Sequence, residues 1–316
     1  MPVQSKGTAM TRIGQALLIL VIGLTAIGSP ISGAPNRPKI FKIAYVRLLS
    51  SDSSAATAFY AKLSAISPRL SPNPDSEERC VWCEIYSSEI FAHLGEQLVL
   101  IKDDSLSPRN RVDEIVFEIS DAKKMEQYLV SKGVVIRSST PRLEYFDVLD
   151  PDGHRIGFVQ RSGTPENKSK HSSLLPLIHA GFVIHDRSAM EHFYQEVLGF
   201  HVYWHGGMKD KDTDWLDLQV PDGTDWIEFM LNVPADADKK LLGVMNHIAL
   251  GVPDIHAAAK QLLTNGMKLT EEPKIGRDGK WQLNLYDPDD TRVELMEFTP
   301  VEKPCCSDYT GPHPKP

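Results

Sequence analysis

The sequence lacks the features that mark most specialised protein classes. It has only four cysteines in 316 residues, too few for a disulfide scaffold, so the fold must rest on a hydrophobic core. It has no basic block. The formal net charge is −8 and is spread along the chain, which argues against binding to nucleic acid or to an anionic membrane surface. Long apolar runs are also scarce, and the one candidate, residues 16–28, is short for a membrane-spanning helix. The rest is ordinary globular composition, 41% hydrophobic and 24% charged, with enough chain for about two domains.

The 16–28 run follows Lys6 and Arg12 and precedes small residues with Pro30, Pro35 and Pro38. A basic segment, an apolar segment and small residues in that order predict a signal peptide or N-terminal anchor over 1–33, and an exported protein, periplasmic or extracellular. No cysteine closely follows, which excludes a lipoprotein-type anchor. Cys80 and Cys83 have the CxxC spacing but fall in a predicted strand, so a structural disulfide or two separate thiols is favoured over a redox motif. Cys305 and Cys306 lie in a Pro-rich tail, 301–316, and receive no function.

Four residues in the second half carry chemistry. His179, Glu228, His247 and Glu294 each sit inside a short apolar stretch with strand character, at 177–184, 226–230, 246–252 and 292–297. Ionisable groups are costly in such places unless paired or bound to metal. Two imidazoles and two carboxylates suit a divalent transition metal. Strand alternation puts His247, Ala249 and Gly251 on one face and Ile248, Leu250 and Val252 on the other. Glu294 then turns away from the core that Val293 and Leu295 enter.

Internal similarity organises the rest. The segment 52–63 matches 186–198, with Phe59-Tyr60 set against Phe193-Tyr194. The segment 146–157 matches 283–294, with Asp150-Pro-Asp-Gly set against Asp287-Pro-Asp-Asp, a strong turn signal. The segment 112–119 matches 245–252. Two domains are predicted, 38–162 and 175–300, joined by a polar linker at 163–174. Each is expected to hold two units of strand, helix and about three strands. In the third unit Ser188 and Glu191 fit a capping box, Met190, Phe193, Tyr194 and Val197 form an apolar face, and Gly199 ends the helix. In the fourth, Asp254 caps a helix over 257–263 that Gly266 stops. A helix over 123–131 ending at Gly133 repeats the design.

These residues resemble the vicinal oxygen chelate superfamily, which includes glyoxalase I, bleomycin resistance proteins and extradiol dioxygenases. The signatures are Phe193-Tyr194…Leu198-Gly199-Phe200, Asn246-His247-Ile-Ala-Leu250 and Asp287-Pro288-Asp289…Val293-Glu294-Leu295. The resemblance implies an α+β fold of two tandem domains, each made of two βαβββ modules whose curved mixed sheets enclose a cup. It also implies that His179, Glu228, His247 and Glu294 are ligands of one divalent ion (Zn, Ni, Co, Mn or Fe). In the first domain the matching positions are approximately Ala44, Val99, Glu114 and Gly157, so that domain is expected to bind no metal. The asymmetry favours a second domain that closes on itself, with a homodimer as the alternative.

Three functions share this cup. The full His-Glu-His-Glu set points to a glyoxalase-like enzyme, an isomerase or lyase acting through an enediolate, with Glu228 or Glu294 as the proton-shuttling base. Asn232, four residues after Glu228, matches a substrate-contacting position. The family's carboxylate-binding arginine is Val183 here, with Lys274, Arg277 and Lys280 as candidate replacements. The alternative is an Fe(II) ring-cleaving dioxygenase using His179, His247 and Glu294, with Tyr203, His205 and Tyr286 as candidate neighbours. The third is a metal-free binding protein of the bleomycin-resistance type, with Trp204, Trp215, Trp226 and Trp281 as walls. Small molecules are the expected partners in all three.

Overall fold

Period-two alternation of Val, Ile, Leu and aromatics recurs through the chain and yields mostly strands. The computed structural model describes residues 1, 36–64, 90–94, 97–103, 111–160 and 175–316. The predicted signal peptide, the linker and the Cys80/Cys83 pair lie outside the described residues. Among the described residues no helix is long and apolar enough to cross a membrane.

The first elements are β1 (Ile40–Ser50), α1 (Ser53–Ser64), β2 (Ile90–Leu94), β3 (Leu98–Lys102), β4 (Val112–Ile119), α2 (Ala122–Ser131), β5 (Ile136–Thr140), β6 (Tyr145–Leu149) and β7 (Arg155–Gln160). They form one seven-stranded mixed sheet in the order β2-β3-β1-β4-β7-β6-β5. There follow β8 (Leu177–Val183), α3 (Arg187–Glu191), β9 (His201–Gly206), β10 (Trp215–Gln219), β11 (Trp226–Met230), α4 (Lys239–Met245), β12 (His247–Val252), α5 (Ile255–Thr264), β13 (Lys274–Ile275), β14 (Trp281–Tyr286) and β15 (Arg292–Glu297). Their eight-stranded sheet runs β13-β14-β15-β12-β8-β11-β10-β9. The α+β class and the strand–helix–strands order agree with expectation; the short α4 was not anticipated.

Helix ends follow local chemistry. Asp121 and Asp254 accept from the backbone N–H of Lys124 and Ala257 as N-caps, and Gly133, Gly199 and Gly266 take the left-handed backbone that ends a helix. The predicted Ser188/Glu191 box does not form. Asp186, two residues earlier, caps α3 by accepting from Ala189, while Glu191 pairs with Arg187. An ionised carboxylate is the stronger acceptor for an N–H at the positive end of a helix. Residues His192–Val197 continue the helix with π-type geometry, which carries Phe193, Tyr194 and Val197 into the core.

A continuous apolar core drawn from both sheets includes Phe117, Phe158, Phe182, Tyr194 and Phe229, and smaller clusters sit around Tyr45 and Trp226. In each sheet the first strand carries a bulge. Residue 44 is the extra one between Ile43↔Phe117 and Tyr45↔Val116, and residue 178 is the extra one between Leu177↔Leu250 and His179↔Ala249. A bulge re-aims the next side chain. It is what turns His179 away from the core that Leu177 and Ala180 enter.

Two reciprocal clamps tie the halves of the described chain together. Tyr60 on α1 donates to Asp287 at 3.1 Å, and Tyr194 donates to Asp150 at 3.2 Å. Beside the first, Asp289 accepts from Ser50, Ser51 N–H and the Ser51 hydroxyl. Beside the second, Asp152 accepts from the backbone of His185 and Asp186.

Candidate metal centre

Strands β15, β12, β8 and β11 are consecutive neighbours in the second sheet. Their register lays out two rows across the cup. One row reads Glu294, Ala249, His179, Trp226; the next, two residues along, reads His247, Gly181, Glu228. Small residues alternate with functional ones, so the large side chains lean over the gaps. Gly181 is required for its missing side chain rather than its backbone. A Cβ there would lie 2.0 Å from His247 Cε1 and 2.5 Å from its Nδ1, inside the volume of the imidazole.

Three predicted ligands meet closely: His179, Glu228 and His247 each offer an atom within 4.8 Å of the others. The two Nε2 atoms are 3.1 Å apart, and His247 Nε2 lies 3.0 Å from Glu228 Oε2. Glu294 approaches from the other side, its Oε2 at 3.7 Å from His179 Nε2 and 4.0 Å from His247 Nε2. His247 Nδ1 lies 3.0 Å from the Met245 carbonyl. A proton on Nδ1, donated to that carbonyl, leaves the Nε2 lone pair facing the cluster, the tautomer a metal ligand needs.

The electrostatics agree. His179 is held well below the ordinary histidine range by burial, then by His247, Arg292 and Lys280. His247 is lowered by burial and Arg292, against the pull of Glu228. Both imidazoles are therefore neutral, as ligation demands. Burial pushes Glu294 up to about 7, with Arg292 opposing and Glu228 adding to the rise. Two neutral nitrogens and two carboxylates on one small-residue floor fit a divalent ion of the Zn, Ni, Co, Mn or Fe group.

Two cations border this set, Arg292 and Lys280, and of these Arg292 was not singled out from the sequence. Arg292 opens β15, two residues before Glu294 and thus on the same face. Its Nη2 is 2.8 Å from His247 Nε2 and 3.9 Å from Glu228 Oε2. Lys280, a candidate from sequence for carboxylate binding, is instead fully buried beneath aromatics, its Nζ 4.3 Å from the Trp226 ring centre and 5.0 Å from that of Tyr309. Burial lowers its pKa while Asp278 and Asp217 oppose the fall. The other two candidates turn elsewhere: Lys274 pairs with Glu271, and Arg277 with Asp210.

The remaining predicted residues lie outside the cluster. Asn232 takes a left-handed backbone with φ 60° beyond β11, and its amide is spent on Thr213 O and Asp214. Tyr203 lies against Trp226, whose ring in turn packs on His179. Tyr286 donates to Glu271 at 2.7 Å, and the backbone N–H of His205 is held by Ser307. Trp204 stacks with Trp215, and Trp204 Nε1 donates to Cys305 O. The adjacent Cys305 and Cys306 are joined to each other by a disulfide.

The first sheet fills the matching positions differently. The bulge makes Tyr45, not Ala44, the counterpart of His179, because Tyr45 faces Val116 as His179 faces Ala249. A one-residue bulge is invisible to sequence alignment. Arg47, facing Glu114 and Val99, stands where Gly181 stands in the other sheet. Its guanidinium pairs with Glu114 at 3.2 Å, and Tyr145 donates to the same carboxylate. The space kept open for an imidazole in one cup holds an ion pair in the other.

Comparison with known proteins agrees with this architecture. Residues 177–295 match the model of the glyoxalase/bleomycin resistance protein/dioxygenase superfamily. No match is found among curated proteins. Similar solved structures include a variant of homoprotocatechuate 2,3-dioxygenase from Brevibacterium fuscum, 19% identical with TM-score 0.55, over 84% of this chain and 73% of that one. A catechol 2,3-dioxygenase aligns at 13% identity and TM-score 0.58, over 88% and 96%. A halotolerant catechol dioxygenase aligns at 17% and 0.56, over 82% and 87%. At these identities the likeness speaks for the fold. The stretch that matches the glyoxalase/bleomycin resistance protein/dioxygenase superfamily model, residues 177–295, is the one that carries His179, Glu228, His247 and Glu294 on four neighbouring strands of one sheet.

Proposed function

We propose that the second cup is the active site of a metal-dependent, glyoxalase-like isomerase or lyase. The observation that carries this reading is the convergence of Glu228 with both histidines. A three-ligand site would leave that carboxylate unused. A divalent ion held by His179, Glu228, His247 and Glu294 would supply Lewis-acid stabilisation to negative charge on a pair of vicinal oxygens.

The chain's own groups would handle the proton. Glu228 is the most exposed of the four, with 14% of its side chain accessible against 6% for Glu294 and less for the histidines. It is thus the carboxylate best placed to take a proton from one carbon of the substrate and return it to the next. His179, packed on Trp226, and His247, bonded to the Met245 carbonyl, are held too firmly for that role. The missing side chain at Gly181 gives the His247 ring its place in the cluster.

A ring-cleaving dioxygenase is the second reading, favoured by the fold shared with three such enzymes over most of the chain. It needs His179, His247 and Glu294 but not Glu228, because ring substrate and dioxygen both require open positions. One experiment separates the two. The purified chain is analysed for metal, then wild type and Glu228→Gln are assayed on hemithioacetals and on catechols. Isomerase activity that disappears with Glu228→Gln supports the first reading. Iron content with catechol cleavage that survives the change selects the second. A chain with no affinity for any of the five metals refutes both.

A further inference from the structure

The two cups treat one arginine differently. Arg155 opens β7 and Arg292 opens β15, each two residues before the position that Glu294 holds in the second sheet and Gly157 in the first. A guanidinium presents Nε and Nη2 as a side-on fork suited to a carboxylate. In the first cup both prongs of Arg155 converge on Asp147 Oδ2, at 3.3 and 3.2 Å. In the second cup one prong of Arg292, Nη2, rests on the His247 ring, while Nε is buried with no partner among the described residues.

The difference lies in the facing strand. Asp147 on β6 pairs with Gly157, and the residue that pairs with Glu294 in the same way is Asn284 on β14. The carboxylate that satisfies the first arginine is therefore a neutral amide beside the second. The Asn284 amide nitrogen donates to Glu271, and its Oδ1 is buried without a partner among the described residues. An unmatched guanidinium prong and an unmatched carbonyl thus lie in the same cup, and leaving such groups unpaired is costly.

From this swap we infer that Arg292 binds a carboxylate belonging to the substrate, in the place where Asp147 serves Arg155. The proposal rests on the metal reading of the cup and narrows its substrate to compounds with a vicinal oxygen pair and a separate carboxylate. Occupation of His247 Nε2 by a metal removes the acceptor that Nη2 uses, which frees the second prong of the fork. Lys280 cannot serve instead, because it is fully buried beneath Trp226 and Tyr309.

The test needs no turnover. The full chain is loaded with zinc, and its metal content is measured. Binding of 3,4-dihydroxybenzoate and of its neutral isostere 3,4-dihydroxybenzamide is then compared by calorimetry. Wild type is expected to prefer the carboxylate by about tenfold or more, the scale of one charge-assisted bidentate contact. Arg292→Gln should bring the two affinities together while zinc uptake persists. Asn284→Asp, which installs the carboxylate already accommodated in the first cup, should do the same by occupying Arg292 from within. Equal affinities in wild type, or a preference that survives both changes, overturns the proposal and leaves the metal reading intact. Failure to take up zinc, or to bind either probe when loaded, removes the metal reading and this proposal together.

Discussion

The Tyr60 hydroxyl donates to Asp287 across 3.1 Å, linking the first helix to the turn that leads into the strand bearing Glu294. The matching pair, Tyr194 and Asp150, makes the same bond in the opposite sense. Both tyrosines are fully buried and both aspartates nearly so. The turns beside the two cups are thus each held by a helix from the other half of the described chain.

Removing either hydroxyl should weaken the fold without touching the candidate metal centre. Tyr60→Phe and Tyr194→Phe are each expected to cost about 1–3 kcal/mol, since a buried carboxylate oxygen loses its donor. Denaturant titration measures the loss. The two changes should add, because the pairs share no partner.

Burial of the same aspartate gives stability a pH dependence. Burial raises Asp287 to about 6, although N–H groups of Thr291 and Asp289 oppose the rise. Its ordinary value is about 3.9, so the folded chain keeps this proton to higher pH than the unfolded chain. The resulting stabilisation is fully present below about pH 4 and is lost as pH rises through about 6. Its upper size is about 3 kcal/mol. Asp287→Asn should flatten that part of the profile, as read by melting temperature against pH, and an unchanged slope would refute the assignment.

Gly181→Ala should abolish metal binding while the sheet still forms. The added methyl would lie 2.0 Å from His247 Cε1, so the ring must leave its place. Metal analysis of the purified variant, with circular dichroism to confirm folding, checks this. Retention of full metal content would mean that His247 is not a ligand.

In the first cup, Arg47→Ala should be among the most damaging single changes. Glu114 is buried, and its raised pKa reflects that burial, opposed by Arg155 and Arg47. Deleting one partner of a buried pair leaves an uncompensated charge and costs about 3–5 kcal/mol. Arg47→Met with Glu114→Gln should recover much of the loss in the same denaturation assay.

Much of the fold was legible from local chemistry. Aspartate caps and C-terminal glycines marked α2 and α5, and period-two apolar stretches marked the strands. The Ser188/Glu191 box was misread because Asp186 lies upstream and accepts more strongly. Of the candidate site, the four residues His179, Glu228, His247 and Glu294 stood out because an ionisable residue inside an apolar strand needs a reason to be there. Arg292 could have been found by the same period-two argument from Glu294.

Sequence alone determined the residue types of the candidate centre and the strands that bear them, because alternation is a local property of an extended chain. Tertiary structure decided which strands became neighbours and how they were registered. Register set Gly181 under the His247 ring and Arg47 in the matching place. The bulges at 44 and 178 turned Tyr45 and His179 toward their cups. Cross-strand pairing also put Asp147 beside Arg155 but Asn284 beside Arg292. These relationships join residues far apart in the chain, and only the hydrogen-bonded sheet brings them together.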